Sequence, residues 1–193
     1  MSVRRQQIRA AARDVRRSYC ERVGSNDLNH PLPLDTLVEE IWGLTVVRDV
    51  LAAGIQGKVE PEYDVIRVQR DLSPTRQRFV IAHEIGHVCL EGLDAGPFRD
   101  TDETLDECAA GADDETAVRS YNRRERREQE ANLFALELLV PAEELWQAVQ
   151  QADWSFESLA ARFAVSTDAI RAQLVNVCCL DPLTPSDEST VTR

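Results

Sequence analysis

Histidine is almost missing from this chain: three in 193 residues. Basic side chains are outnumbered as well, 22 Lys and Arg against 34 Asp and Glu, which leaves a formal net charge of −12. Phosphate backbones are repelled by such a surface, so direct nucleic-acid binding is disfavoured. Apolar runs fall far short of a membrane span, and Met1-Ser2-Val3-Arg4-Arg5 has no apolar signal core behind it. A cytoplasmic protein is expected. Cys20, Cys89, Cys108, Cys178 and Cys179 form no C-x-x-C pair and are odd in number, which favours reduced thiols over a disulfide framework.

Two of the three histidines stand together in His83-Glu84-Ile85-Gly86-His87. On an α-helix that spacing puts both imidazoles on one face, one turn apart. Imidazoles converging on one point suit Zn²⁺, and a glutamate between them can take a proton from an attacking water. The pattern reads as the centre of a zinc metallopeptidase with Glu84 as general base. Its surroundings predict a helix. Ser73 fits the N-cap, Pro74 the first helical position, Gln77 stands close to capping-box spacing, and Gly92 is a stop. Phe79, Ile81, Ala82, Ile85, Val88, Cys89 and Leu90 make this helix mostly buried. Polar groups in a buried helix require partners, and a metal is the simplest one.

A catalytic zinc takes three protein ligands. The remaining histidine, His30, lies in a turn-like Asn29-His30-Pro31. A carboxylate fits better. Glu128 to Pro141 reads as a helix that is apolar nearly all round from Ala131. Glu130 stands at its polar-to-apolar boundary and is taken as the third ligand. Glu137, seven residues on and on nearly the same face, is assigned a supporting role beside the ligands, with the alternatives of replacing Glu130 as ligand or of being satisfied locally. Glu128 lies in a charged run and is read as solvated.

Three segments in order carry a resemblance: Arg67 to Pro74, Arg76 to His87, and Glu130 to Pro141. Together they resemble the ImmA/IrrE metallo-endopeptidases over roughly residues 35 to 175. The resemblance implies a small zincin-like fold. It implies His83, His87 and the glutamate before Ala131-Asn132 as zinc ligands, with Glu84 as general base. It also implies a protein substrate, a helix-turn-helix repressor cut at one site.

The fold class expected is α+β: a short twisted sheet, the H-E-x-x-H helix and a second ligand-bearing helix, followed by helix-turn-helix-like helices. Residues 1–30 form an arginine-rich helix and linker, with Val3, Ile8, Ala11, Ala12, Val15 and Tyr19 as a partial apolar stripe. Residues 31–150 form the metallopeptidase domain. Asp35 is read as the N-cap of a helix through Trp42, Leu44 to Val50 as a strand, and Val59 with Val65, Ile66 and Val68 as a hairpin. Residues 94–121 are an acidic insertion, read either as a solvated loop or as a lid on which the arginine-rich helix docks. Residues 151–180 resemble a helix-turn-helix around Ala164-Val165-Ser166, capped by Ser155 and Ser166. Arg171 is nearly its only basic side chain, so packing or substrate docking is favoured over DNA reading. Residues 181–193 are read as a disordered tail. Tyr121, Tyr63 and His30 are the candidate oxyanion donors, and the sequence does not choose among them. Two alternatives to proteolysis stay open: a zinc-containing module that binds a repressor without cutting it, and a DNA-binding regulator.

Overall fold

A computed structural model describes residues 3–24, 30–93 and 114–180, without the side chains of 91–93, 114–124 and 179–180. The acidic residues 94–113 and the tail from 181 lie outside the described residues. The fold is α+β, as expected. Its helices are α1 (Val3–Val23), α2 (Leu34–Trp42), α3 (Pro74–Leu93), α4 (Asp114–Leu139), α5 (Ala142–Val149), α6 (Phe156–Phe163) and α7 (Thr167–Val175), and a π-helical turn follows over Asn176–Leu180. The strands are β1 (Thr45–Asp49), β2 (Gly57–Glu60) and β3 (Val65–Gln69).

The sheet has the order β1-β3-β2, with β1 parallel and β2 antiparallel to the central β3. Ile66 and Val68 alternate inward from β3 and are fully buried, as period-two patterning requires. The β2–β3 hairpin turns through Pro61–Tyr63 and Asp64, which adopts φ 53°. The left-handed region suits a short polar side chain there. Among the described residues, one edge of β2 has no strand beside it, and it faces α3.

Helix α3 begins as its sequence indicates: the Arg76 N–H donates to Ser73 Oγ at 3.3 Å. Gln77 does not complete a capping box. Its amide donates to the carbonyls of Arg70 and Leu72, both at 2.9 Å, and so ties down the β3–α3 turn. Asp35 does not cap α2 either. Pro33 holds that position, while the Asp35 carboxylate receives both terminal nitrogens of Arg48 at 2.8 and 3.0 Å. Helix α3 runs through Gly92 to Leu93. Helix α4 is longer than expected, because its arginine- and glutamate-rich first half continues the helix upstream of the apolar half.

Helices α3 and α4 cross at Gly86. A Cβ there would stand 3.2 Å from the Cα and carbonyl oxygen of Ala131 and from Phe134 Cδ1. Glycine thus brings the two backbones together between the histidines of the motif. Phe134, Leu138, Ile81 and Ile85 fill the core on either side of this crossing.

Helix α1 lies along α4. Ile8, Ala12, Val15 and Tyr19 are its buried stripe. Beside the stripe runs a ladder of ion pairs to α4 and α5: Arg4–Glu130 at 2.6 Å, Arg9–Glu137 at 3.6 Å, Arg13–Glu143 at 2.7 Å and Arg16–Glu144 at 2.9 Å. The arginines of α1 therefore meet glutamates of the helical body. Of the acidic stretch 94–121 on which docking was expected, residues 94–113 lie outside the described residues, and 114–121, read as part of a loop or lid, belong instead to α4. At the C-terminal end, Ser155 and Ser166 cap α6 and α7 as expected, and Ala164 makes the turn with φ 51°.

Candidate metal centre

His83 and His87 project from the same face of α3 into a cleft of about 750 Å³ between α3, α4 and the edge of β2. Their Nε2 atoms are 3.0 Å apart. From α4, Glu128 reaches both: one carboxylate oxygen is 3.2 Å from His83 Nε2, the other 3.6 Å from His87 Nε2. A tetrahedral ion with bonds of about 2.1 Å spaces its ligand atoms by about 3.4 Å. The three separations bracket that value, so these residues fit a divalent metal of the zinc type. Among the described residues, His83, His87 and Glu128 are the cluster with this geometry.

The structure thus brings Glu128, not the expected Glu130, to the two histidines. Glu130 is not at the centre; it is turned to α1 and accepts from Arg4 Nε at 3.0 Å and Arg4 Nη2 at 2.6 Å, and from Arg126 Nε at 3.1 Å. Burial works against its ionisation, but these two guanidiniums hold its pKa below the ordinary carboxylate value. Glu137 is turned away from the cluster of His83, His87 and Glu128. It is buried, accepting from the Ala142 N–H at 3.4 Å and Gln173 Nε2 at 3.0 Å beside Arg9. Burial pushes its pKa up despite Arg9. Glu128, read as solvated, is half exposed because its carboxylate faces the open cleft. The sequence does hold a signal for it. Glu128 and Asn132 stand four apart on α4, hence on one face, and Asn132 is a polar interruption in an apolar run.

Asn132 was missed as well. Its Oδ1 lies 3.0 Å from His83 Nδ1. An amide oxygen there accepts the Nδ1 proton and leaves Nε2 as the lone-pair nitrogen that a metal needs.

Glu84 lines the same cleft under β2. The strand lies so close that a Cβ on Gly57 would fall 2.3 Å from Val80 Cγ1 and 2.9 Å from Glu84 Oε1. Burial, and then the nearby charge of Glu128, push the Glu84 pKa up to about 7. Cys89, on the same helix, is pushed up to about 12 by burial, so it stays a thiol.

The expected oxyanion donors are dispersed. His30 sits edge-on to Phe163, with ring centroids 4.5 Å apart, and its Nε2 contacts Glu144. Tyr63 is exposed beside a smaller neighbouring pocket lined by Asp49, Val50, Ile55, Lys58 and Arg67. Neither lines the metal cleft. The side chain of Tyr121 lies outside the described residues. On α7, Arg171 is engaged by Asp168 at 2.8 Å and lies over Phe156 at 4.9 Å. No described helix is long and apolar enough to cross a membrane.

Comparison with known proteins agrees with this geometry. The model of the Peptidase_M78 family, described as the IrrE N-terminal-like domain, matches residues 43–175. The radiation response metalloprotease IrrE of Deinococcus radiodurans is 50% identical over 38 residues, which are 20% of this chain and 12% of that protein. A solved structure described as a Mycobacterium tuberculosis transcriptional regulator superposes with a TM-score of 0.60 at 23% identity. That superposition covers 86% of this chain and 46% of the other. The matched parts therefore span less than half the length of either relative.

Proposed function

The chain belongs to the IrrE N-terminal-like domain family of peptidases, and from that premise we propose that it is a zinc-dependent endopeptidase with a zincin-like catalytic centre. One observation carries the reading: His83, His87 and Glu128 converge at metal-ligand spacing with Glu84 beside them in the same cleft. When bound, zinc would supply Lewis acidity, lowering the pKa of water and polarising the scissile carbonyl.

The chain's own residues would do the rest. His83 and His87 present neutral Nε2 atoms, the first fixed in that tautomer by Asn132. Glu128 adds a negative charge from the opposite wall. Glu84 accepts the proton of the attacking water and hands it to the leaving amine. Its place under Gly57 keeps bulk water away from it. The free edge of β2 offers backbone N–H and C=O groups to an extended substrate segment, which would be held as an added strand across the cleft. The substrate we propose is a protein, specifically a regulatory one such as a helix-turn-helix repressor, on the strength of the family resemblance.

The Glu84→Gln variant tests the reading. It should bind one equivalent of zinc as tightly as the parent, yet fail to cut any protein that the parent cuts. Wild-type cleavage rates in that variant would dismiss Glu84 as the base. Zinc binding without cleavage by the parent, across a panel of repressors, would favour a sequestering module instead.

A further inference from the structure

The cleft that holds the metal ligands also holds a cation with no counter-ion among the described residues. Arg76 lines it, exposed, at the start of α3. The other cation of the lining, Lys58, is ion-paired with Glu60. Arg76 has neutral neighbours instead. Its Nε donates to Gln56 Oε1 at 2.7 Å, and its guanidinium carbon lies 5.5 Å from the Phe79 ring centroid. Gln56 is itself anchored, its carbonyl accepting from the Gln69 N–H at 2.8 Å. Among the described residues no carboxylate lies within 4.0 Å of Arg76. In an acidic chain whose other arginines so often meet glutamates, a guanidinium oriented but not neutralised is available for an incoming anion. A guanidinium held through Nε and one face still offers its terminal nitrogens to a carboxylate.

We propose that Arg76 is a specificity-determining residue that receives an acidic side chain of the peptide substrate. The proposal rests on the peptidase reading above. Helix geometry sets its reach. Arg76 precedes His83 by two turns on one face, about 10 Å along the axis. An extended peptide covers that distance in about three residues. The preferred Asp or Glu thus lies about three positions from the scissile bond, on the side of the cleft formed by Gln56 and Gly57. The long-range field of a chain of net charge −12 favours basic partners. A local preference for acid at one position is therefore separable from the general charge effect.

The test uses the zinc-loaded full chain and short peptide hydroxamates, with the chelating group at the amino end in one series and at the carboxyl end in the other. Glu, Gln or Lys is placed at positions two to four, and Kd is read by calorimetry. Glu should bind about fivefold tighter than Gln at one position of one series, the scale of a partly exposed ion pair. That advantage should vanish in Arg76→Gln, persist in part in Arg76→Lys, and pass to the Lys peptide in Arg76→Glu. Hydroxamates that bind with no Glu preference anywhere, or with one that survives in Arg76→Gln, overturn the anionic subsite and leave the metal centre standing. Failure of every hydroxamate to bind the zinc-loaded protein removes the peptidase reading and the subsite with it.

Discussion

Replacing Gly86 with Ala sets two effects of known size against each other. A glycine inside a helix costs about 1 kcal/mol relative to alanine, so helix propensity alone favours the variant. The added methyl, however, would lie 3.2 Å from the Cα and the carbonyl oxygen of Ala131 and from Phe134 Cδ1. Phe134 can swing, but the other two atoms belong to the backbone of α4, which is buried at Ala131. Relief requires α3 and α4 to separate by a few tenths of an ångström. Overpacking of this kind costs about 1–3 kcal/mol, so the net effect is a loss of about 1 kcal/mol. Thermal unfolding of the apo protein should move down by about 2–4 °C. The metal site should suffer more. Glu128 lies three residues before Ala131, and metal sites tolerate ligand displacements of only about 0.2 Å. Zinc affinity in a competitive chelator titration should fall about tenfold. A variant that melts higher than its parent and binds zinc equally well would show that the crossing is looser than described, and that Gly86 is an ordinary helical glycine.

The ligand assignment is checked by elemental analysis: Glu128→Gln should lose its zinc, whereas Glu130→Gln should keep it. The latter should instead lose about 1–2 kcal/mol of stability in denaturant melts, because Arg4 is left with a weaker acceptor; zinc lost from Glu130→Gln alone would restore the sequence-based assignment. Asn132→Ala should weaken zinc binding by about tenfold or more while leaving the melting temperature nearly unchanged, since the residue is exposed and orients His83. Burial resists the ionisation of Glu144, yet its bond to His30 and the charge of Arg16 hold its pKa below the ordinary carboxylate value. Such a group stabilises the fold above the unfolded pKa and loses that contribution as pH falls through the folded one. The melting temperature of Glu144→Gln should therefore lie below that of the parent at pH 7, with the gap closing in acid; a gap independent of pH would deny the linkage.

Local rules reached the elements that position the site, and packing between distant segments decided the rest. Ser73 and Pro74 announce α3, and the motif on it places His83 and His87 on one face. Alternation announces Ile66 and Val68. Glu128 and Glu130 differ by about 200° around α4, and local sequence does not say which face meets α3. Glu130 looked the better ligand because it borders the apolar half. Its carboxylate is instead matched by Arg4, 126 positions away in sequence. An open metal site also needs its ligand exposed to the cleft, so the charge and exposure that made Glu128 look solvated are what its position demands. Glu137 was legible as a buried acid in need of a partner, whereas Arg9 and Gln173 as those partners were not.

The family signature starts at residue 43, after α1 has ended. Yet four of the acids on α4 and α5 find their cations on α1. The segment that is inherited as a recognisable unit is therefore not the segment that folds as one. A polypeptide cut to residues 43–175 would strip Glu137 of Arg9, pushing its already raised pKa further up, and would uncover the apolar surface that Ile8 and Ala12 seal. In this chain the family signature leans on a helix that lies outside it, and that N-terminal helix braces α4, the helix that carries Glu128.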